Sequence, residues 1–317
     1  MRRIAAALVG VALVTYAGVS YYLAASLTRV DREVAETTPA SRGLAYDDVS
    51  FPARGDDITL SGWLVPGGVP AAAPDRAAAP AAPAAPAAPA APAAVIFVHG
   101  IQVNRAADHA LDLAAALVSR GFTVLLFDLR GHGRSTGESV SGGDHERTDV
   151  LGAVDFLLAR GLEPGRIGLL GNSMGGAIAI LAAAEEPAIG AVVADSPFAD
   201  VADMIPLEGE RVTGLPAPLI AGFLPGMRLV ARLVFDIDLD AIAPERAAAG
   251  LDMPLLVIHG TGDTRIPTAH GRRIADAHPG SVLWLVEGVD HVGAFEADPA
   301  AYVERVVAFF EQALRAP

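Results

Sequence analysis

The chain has 317 residues, 52% of them hydrophobic, and a formal net charge of −14 at pH 7. That length suits one α/β domain or two small ones, and the negative charge argues against a protein that binds nucleic acid through basic residues. The chain contains no cysteine, which excludes disulfides, thiolate metal sites and cysteine nucleophiles. All 23 basic residues are arginine, and the absence of lysine excludes Schiff-base enzymes, Walker-type phosphate loops and Ser–Lys dyads.

An uncharged apolar segment lies near the start of the chain. It runs from Ile4 to Leu27, and about 20 apolar residues are enough to span a bilayer as a helix. Two arginines precede it, and two tyrosines near its far end have the amphipathic rings that favour a membrane interface. A cleaved signal peptide is the alternative, but the segment is long for one and "AAS" is a weak cleavage site. We therefore expect an uncleaved transmembrane signal anchor over residues 1–28 and a polar tether over 29–45.

The charges that flank this segment predict its orientation. Arg2, Arg3 and the terminal amine favour an N-terminus inside the cell, whereas Arg29 and Arg32 beyond the segment partly offset that bias. We expect a single-pass protein whose main domain lies outside the cytoplasmic membrane.

The part of the chain after the tether, residues 46–317, begins with two strand patterns. "YDDVSFPA" and "ITLSGWLVP" predict a strand pair joined by a turn at "RGDD". Residues 66–94 are rich in proline and alanine, and repeated proline removes backbone donors, so we expect an extended surface loop there. A domain linker is the alternative, but the preceding strand pair is too small to fold alone.

Beyond that loop, short apolar runs alternate with helical patterns. The predicted strands are "AVIFVHG", "TVLLFDLRG", "RIGLLG", "GAVVADSP", "PLLVIHG" and "SVLWLVEG". The predicted helices are "AADHALDLAAALVSRG", "ERTDVLGAVDFLLARG", "SMGGAIAILAAAEE", a stretch from about 268, and "PAAYVERVVAFFEQAL". Apolar strands that alternate with helices indicate an α/β fold with a doubly wound, mostly parallel sheet. In such sheets, functional sites form at the carboxyl ends of the strands.

Three polar side chains follow these strands. Ser173 comes after "RIGLL", Asp263 after "PLLVIHG" and His291 after "SVLWLVEG". Ser173 lies in "GNSMG", which fits G-x-S-x-G, a pattern whose glycines permit a sharp strand-to-helix turn that exposes the serine hydroxyl. The helix N-terminus at this turn favours a developing negative charge. The pattern is weak by itself in a glycine-rich chain, but its position and the chain order Ser, Asp, His strengthen it.

Other histidines are alternatives to His291 as the base that would act on Ser173. His270 and His278 also follow Asp263, but they lie at the two ends of a predicted helix, and we expect both at the surface. His132 in "RGHGRS" is expected in a turn, and it precedes the serine.

His99 and His259 each end a strand before a glycine, where packing is the expected role, although His99 could shape the loop that follows it. Asp195, at the end of the predicted strand in "GAVVADSP", and Asp200, which follows it, are alternatives to Asp263 as the acid. "GHGRSTG" fails the dinucleotide pattern G-x-G-x-x-G by one residue and opens no helix. Paired metal ligands at helical or hairpin spacing are absent from the sequence, so we expect neither cofactor nor metal.

Residues 199–252 are the least regular part of the domain. Their mixture of apolar residues, proline and glycine predicts excursion helices on the rim of the sheet, which would form a small lid with its apolar side toward the substrate. Phe198, Met204 and Phe223 would then line an acyl or aromatic pocket.

Several of these motifs together resemble the α/β-hydrolase fold family over about residues 46–315. The similarity rests on "HG" after the first buried strand, "FDLRGHGRSTG", "GNSMGG", "DSPF", "HGTGDTRIP" and "GVDH". The sequence is most similar to bacterial membrane-attached members with small lids, which are esterase- or peptidase-like.

The resemblance implies a role for each polar residue. Ser173 would be the nucleophile, His291 the general base and then acid, and Asp263 the carboxylate that orients the histidine. The backbone N–H groups of Ile101 and Met174 would form the oxyanion hole. The chemistry agrees, since a serine hydroxyl needs a base, an imidazole can supply it, and N–H donors stabilise the tetrahedral oxyanion.

We therefore expect a serine hydrolase that cleaves an ester, thioester or amide through an acyl-enzyme, with carboxylesterase action favoured. A peptidase or acyltransferase on the same residues is the alternative, because these activities differ only in leaving group and acceptor. A non-catalytic, membrane-tethered binding domain is a further alternative, which the intact Ser, His and Asp disfavour. The expected partners are a small-molecule acyl or peptidyl substrate and the lipid bilayer, with no nucleic acid.

Overall fold

The computed structural model of the protein describes residues 2–67 and 93–314. Most of the Pro/Ala-rich stretch predicted as a surface loop, residues 68–92, lies outside the described residues. The first described element is a 26-residue helix, α1, at Arg2–Leu27. A short 3₁₀ helix at Pro39–Arg42 follows it.

Within the described residues, eight strands form one sheet. The strands are β1 Asp47–Pro52, β2 Thr59–Val65, β3 Ala94–Val98, β4 Thr123–Phe127, β5 Ile167–Asn172, β6 Ile189–Asp195, β7 Leu255–Gly260 and β8 Val282–Val286. Their order across the sheet is β1-β2-β4-β3-β5-β6-β7-β8. β3 to β8 are parallel to one another, whereas β2 runs antiparallel to its neighbours β1 and β4.

Helices cover both faces of this sheet. They are α2 Ala110–Ser119, α3 Glu146–Leu158, α4 Met174–Ala183, α5 Val201–Thr213, α6 Ala217–Ala221, α7 Leu224–Val234, α8 Pro244–Ala248, α9 Ala269–Ala277, α10 Ala294–Ala297 and α11 Pro299–Leu314. α3 and α4 belong to the core on one face, and α2 and α11 belong to the core on the other.

The apolar runs of the sequence explain these two cores. Side chains alternate between the faces of a strand, so a strand that is apolar throughout supplies both cores. Ile96 and Leu125 lie in one cluster, whereas Val95 and Leu126, one residue earlier or later, lie in the other. The doubly wound, mostly parallel sheet predicted from the sequence is confirmed.

An insertion of helices separates β6 from β7. It consists of α5 to α8 and a 3₁₀ helix at Leu239–Ala241, as the proline- and glycine-punctuated sequence predicted. We call α5 to α8 the helical insertion. It follows the carboxyl end of β6 and lies at the end of the sheet where the parallel strands terminate.

The last turns of α1 pack against the helical insertion. Leu23 is buried in a small apolar cluster with Ile205, Ile220 and Met227. Residues 2–15 of α1 are exposed. In the described part of the chain, α1 is the one helix long and apolar enough to cross a membrane.

The segment expected as a polar tether lies against the domain. The Arg32 guanidinium donates hydrogen bonds to the carbonyls of Ser135 and Gly137. Arg42, in the 3₁₀ helix, pairs with Asp112 of α2 at 2.6 Å. These contacts lead the chain from the end of α1 back to the sheet.

Candidate active site

Ser173 occupies a tight turn between β5 and α4. Its backbone has φ 55° and ψ −121°, a conformation that is strained for any residue with a Cβ. The neighbouring glycines allow the close approach that this turn requires. A Cβ at Gly171 would lie 2.2 Å from the Gly175 carbonyl oxygen, and one at Gly175 would lie 2.0 Å from the Val98 carbonyl oxygen. The turn therefore requires glycine at both positions.

Ser173, His291 and Asp263 form a chain of hydrogen bonds. Ser173 Oγ lies 2.9 Å from His291 Nε2, and His291 Nδ1 lies 2.8 Å from Asp263 Oδ2. An ionised carboxylate only accepts hydrogen bonds, so Nδ1 carries the imidazole proton and Nε2 is free to accept from the serine hydroxyl. The structure thus brings together the three residues singled out in the sequence, in the arrangement of a nucleophile, a base and an orienting acid.

The loop after β7 holds Asp263 as an anion. Its Oδ1 accepts the N–H groups of Arg265 at 2.9 Å and Ile266 at 2.7 Å. Burial by itself raises the pKa of this carboxyl, but the hydrogen bonds from His259, His291 and Ile266 outweigh it and hold the pKa well below its usual range. Asp263 therefore carries the negative charge that an imidazolium at His291 would need.

His259 contacts this acid, which sequence reasoning missed. It was expected to pack at a strand end and is indeed fully buried. Its Nε2 lies 2.9 Å from the Ile266 carbonyl oxygen and 3.3 Å from Asp263 Oδ2. The sequence signal was only a histidine before a glycine, which does not indicate the direction of the ring.

The alternative acids have other partners. Asp195 accepts hydrogen bonds from the Tyr302 hydroxyl at 2.8 Å and from the Ser196 hydroxyl at 2.9 Å. Burial raises the pKa of Asp195 to about 6, although these two hydrogen bonds oppose the rise. Asp200 caps α5 by accepting the Ala202 N–H at 2.8 Å. Within the described residues neither carboxylate hydrogen-bonds His291, so the geometry favours Asp263 as the acid.

The alternative histidines also lie elsewhere. His270 is buried and its Nδ1 accepts the Ala199 N–H at 3.1 Å, so the expectation of a surface position is wrong. The reason is that the first turn of α9 packs against the loop after β6. His278 is partly buried, and its Nε2 lies 3.1 Å from the Met253 carbonyl oxygen.

Ile101 and Met174, the residues expected to form the oxyanion hole, lie beside Ser173. All three residues line one cavity. Within the described residues, the backbone N–H of Ile101 and that of Met174 both lack a hydrogen-bond partner. The loop that carries Ile101 passes close to the serine, since a Cβ at Gly100 would lie 3.4 Å from Ser173 Cβ. Two unpaired N–H groups beside a serine hydroxyl can stabilise an oxyanion.

Two buried histidines hold this loop. His99 Nδ1 lies 2.7 Å from the Gly100 carbonyl oxygen, and its Nε2 accepts the Leu129 N–H at 3.0 Å. Because a trans peptide is planar, fixing the Gly100 carbonyl also aims the Ile101 N–H in the opposite direction. His132 Nε2 accepts the Gln102 N–H at 3.2 Å. Burial, together with the neighbouring His132, lowers the pKa of His99 to about 4, so His99 stays neutral and keeps its acceptor.

An apolar cavity of about 140 Å³ opens at Ser173. Phe198 and Met204, two of the residues predicted to line the pocket, are among its lining residues. Phe223 is not among them, which corrects the sequence-based expectation. Its ring stacks on Tyr16 of α1 with the centroids 5.0 Å apart, because α1 covers that side of the helical insertion.

The end of α1 supplies part of the cavity wall, which sequence reasoning also missed. Ala24, Ser26 and Leu27 line the cavity, together with Thr28 and Arg29 just beyond the helix. In the sequence these residues only read as the end of an apolar segment. Their position beside a serine more than a hundred residues away depends on tertiary packing.

The described residues contain no cluster of three or more His, Asp or Glu side chains placed to hold a metal ion.

Comparisons with known proteins identify a family model, a bacterial relative and similar solved structures. Residues 89–241, about half of the chain, match the family model described as serine aminopeptidase, S33. YfhR of Escherichia coli strain K12 is 28% identical over 273 residues, which cover 84% of this chain and 81% of YfhR. The esterase Pf2001 of Pyrococcus furiosus superposes with a TM-score of 0.68 at 25% identity, covering 90% of this chain and 99% of the esterase. The acylaminoacyl peptidase of Pyrococcus horikoshii shares the fold, with a TM-score of 0.59 at 17% identity over 86% of this chain and 42% of the peptidase.

Proposed function

The chain belongs to the α/β-hydrolase family, and on that premise we propose that it is a serine hydrolase that cleaves an acyl ester through an acyl-enzyme. The observation that carries the proposal is the continuous hydrogen-bonded chain from Ser173 Oγ through His291 to Asp263, with distances of 2.9 and 2.8 Å.

The proposed reaction has two halves. Ser173 Oγ attacks the acyl carbon while its proton passes to His291 Nε2, and the oxyanion accepts hydrogen bonds from the N–H groups of Ile101 and Met174. The tetrahedral intermediate then collapses, the bond to the leaving group breaks, and His291 returns the proton to that group. Water then attacks the acyl carbon of the acyl-enzyme while His291 takes a proton from that water. The bond to Ser173 Oγ breaks, and His291 returns the proton to the serine.

The negative charge of Asp263 supports this cycle. It stabilises the imidazolium that forms at His291 in each half-reaction, and it keeps Nδ1 protonated so that Nε2 faces the serine. The low pKa of Asp263 means that the carboxylate remains ionised across the whole neutral and mildly acidic range.

The cavity lining favours an ester over a peptide with a free amino terminus. An aminopeptidase needs a carboxylate for the ammonium group of its substrate. Among the described residues that line the cavity, Glu208 is the single carboxylate, and it is already paired with Arg265 at 3.1 Å. A peptidase or an acyltransferase on the same residues is the alternative, and the match to the serine aminopeptidase model supports the peptidase.

Labelling by a fluorophosphonate probe tests the nucleophile. We expect the wild-type protein to be labelled and Ser173→Ala to remain unlabelled. Ser119→Ala is the matched control, because Ser119 is exposed and bonds only the Ala116 carbonyl, and it should label like wild type. Equal labelling of Ser173→Ala, or no labelling of wild type, contradicts the proposal.

The substrate class is tested separately. We expect p-nitrophenyl esters to be hydrolysed, and aminoacyl p-nitroanilides to be hydrolysed much more slowly. The reverse preference would replace the esterase by the peptidase.

We further propose that α1 anchors the protein in a membrane with the hydrolase domain on the extracytoplasmic side. The length and apolar composition of α1 support the anchor, and Arg2 and Arg3 ahead of it support the orientation.

A further inference from the structure

Exposed hydrophobic side chains are concentrated in one part of the described protein. Eight of the sixteen large exposed ones lie on α1, and six lie on α5 to α7. Those six are Leu207, Val212, Leu219, Leu229, Leu233 and Val234. Soluble proteins rarely expose contiguous apolar surfaces, and such surfaces mark contacts with membranes or partners.

The two apolar surfaces are continuous, because α1 lies directly on the helical insertion. The Tyr16 hydroxyl donates to the Gly222 carbonyl at 3.2 Å. Gly226 lies so close to α1 that a Cβ there would be 2.2 Å from Ser20 Oγ. Tyr21 stacks on Phe235 with the ring centroids 6.1 Å apart.

The length of α1 sets the depth of this contact. Residues 4–15 are exposed, and at a rise of about 1.5 Å per residue they cover about 18 Å. The hydrocarbon core of a bilayer is about 30 Å thick. If α1 crosses the bilayer from Ile4, a further stretch of about 12 Å, which reaches Leu23, must also lie in the core. That stretch is the one that contacts the helical insertion, and any tilt of α1 would make the overlap larger.

The sequence of α7 suits this position. Leu229, Leu233 and Val234 are 59%, 73% and 55% exposed. Arg232 borders them on the same helix and is also exposed, as is Arg228, which pairs with Asp240 at 3.3 Å. Arginine side chains of this kind can extend to lipid headgroups while their methylene groups stay in the apolar layer.

The cavity at Ser173 lies between these same elements. Leu27 and Ala24 of α1 and Met227 and Ala231 of α7 all line it. These four side chains make an apolar wall, and Ser26, Thr28 and Arg29 line the cavity beside it. Glu208 and Arg265 provide a paired polar group in the lining.

We propose that α5 to α7 lie in the outer layer of the bilayer beside α1, and that the cavity takes an acyl ester directly from the membrane. The proposal rests on the proposed function for the role of Ser173 and on α1 as the membrane span. It assigns the substrate class as a membrane-resident acyl ester and the docking partner of α5 to α7 as the lipid bilayer.

The docking surface is tested by fluorescence quenching on the full chain in phosphatidylcholine vesicles that contain brominated lipids. We expect Leu233→Trp to add emission that the brominated acyl chains quench, relative to the wild-type background of two tryptophans. Val282→Trp is the matched control, because Val282 is 48% exposed but begins β8 at the amino end of the parallel strands, whereas the helical insertion follows the carboxyl end of β6. Equal quenching of the two added tryptophans, or none for Leu233→Trp, overturns the docking surface.

The substrate class is tested by two esters with the same leaving group, p-nitrophenyl palmitate held in vesicles and soluble p-nitrophenyl butyrate. We expect the double variant Leu229→Glu, Leu233→Glu to hydrolyse the palmitate about tenfold more slowly, the cost of about 1.4 kcal/mol of lost membrane contact. The butyrate rate and fluorophosphonate labelling should stay at the wild-type level, and Val282→Glu should change neither ester.

These outcomes separate the two proposals. Normal labelling and butyrate hydrolysis with an unchanged palmitate rate in the double variant overturn the membrane route and leave the hydrolase intact. Absence of labelling and of hydrolysis of both esters by wild type overturns the proposed function instead.

Discussion

At the residue scale, two carboxylates compete for the role of the acid, and their surroundings distinguish them. Asp263 receives two backbone N–H groups and His291, and its pKa is held low. Asp195 receives two hydroxyl groups, and burial raises its pKa to about 6. A charged acid is the one that can stabilise an imidazolium.

We expect Asp263→Asn to lower kcat for p-nitrophenyl butyrate by about 10⁴-fold with little change in KM, because an amide stabilises the wrong tautomer of the imidazole. Asp195→Asn is the control and should lower kcat by less than about tenfold, since Asp195 does not bond His291. Steady-state kinetics of both variants measure this. A larger loss in Asp195→Asn would assign the acid to Asp195.

A second residue-scale feature is the buried imidazole of His109. Within the described residues neither of its ring nitrogens has a hydrogen-bond partner, and the ring stacks on Phe295 with the centroids 4.5 Å apart. Burial lowers the pKa of His109 to about 4. Since the folded pKa lies below the 6.5 of an ordinary histidine, the contribution of His109 to stability is complete above pH 6.5 and is lost as the pH falls toward 4.

We expect His109→Phe to keep the ring stacking and to remove this loss. Between pH 7 and pH 5 the free energy of unfolding of wild type should fall by about 2 kcal/mol more than that of the variant. Melting temperatures of both full-length proteins in mild detergent at the two pH values measure the difference. Parallel losses in the two proteins would show that His109 does not titrate as described.

At the element scale, the site depends on how closely α4 approaches the sheet. The first turn of α4 lies against the end of β3, with Gly175 facing the Val98 carbonyl. Backbone atoms on both sides of this contact belong to buried elements and have no room to shift. The same close approach positions the α4 N-terminus under the serine.

We expect Gly175→Ala to lower the melting temperature by about 5 °C or more and to abolish fluorophosphonate labelling, because its Cβ would overlap the Val98 carbonyl. Gly250→Ala is the matched control, since a Cβ at Gly250 would meet only the Ala247 carbonyl at 3.7 Å. It should leave both measurements near their wild-type values. A labelled, stable Gly175→Ala protein would contradict the close packing of this turn.

At the scale of the whole molecule, α1, the proposed membrane anchor, packs directly on the hydrolase domain without a free spacer. Its last turns form part of the cavity wall, and the segment after it is held by Arg32 and Arg42. With α1 as the proposed span, the fold itself would set the orientation of the domain toward the bilayer.

The proposed orientation in the cell predicts where a protease can reach the domain. In cells whose cytoplasmic membrane is intact but whose outer envelope lets protease through, we expect added protease to digest a tag fused after Pro317, because the proposed orientation puts the domain outside that membrane. A cytoplasmic protein in the same cells should stay intact as the control. Digestion only after lysis would place the domain in the cytoplasm.

The sequence by itself determined the sheet and the candidate reacting residues. Strand and helix periodicity are local, so the alternation predicted the parallel sheet, which the structure confirms. Ser173, Asp263 and His291 could be found because each follows a strand, and parallel strands end at one edge of the sheet. "GNSMG" also fixes its turn locally, through the two glycines.

Only the tertiary structure decided which residues surround that site. Nothing local indicates that His259 contacts Asp263, that His270 is buried, or that Phe223 packs on α1 and not in the cavity. Each of these depends on contacts between segments far apart in the chain, and the use of the end of α1 as a cavity wall depends on them most. Hydropathy predicts that α1 is apolar, but only packing decides which of its faces contacts the helical insertion and which stays exposed.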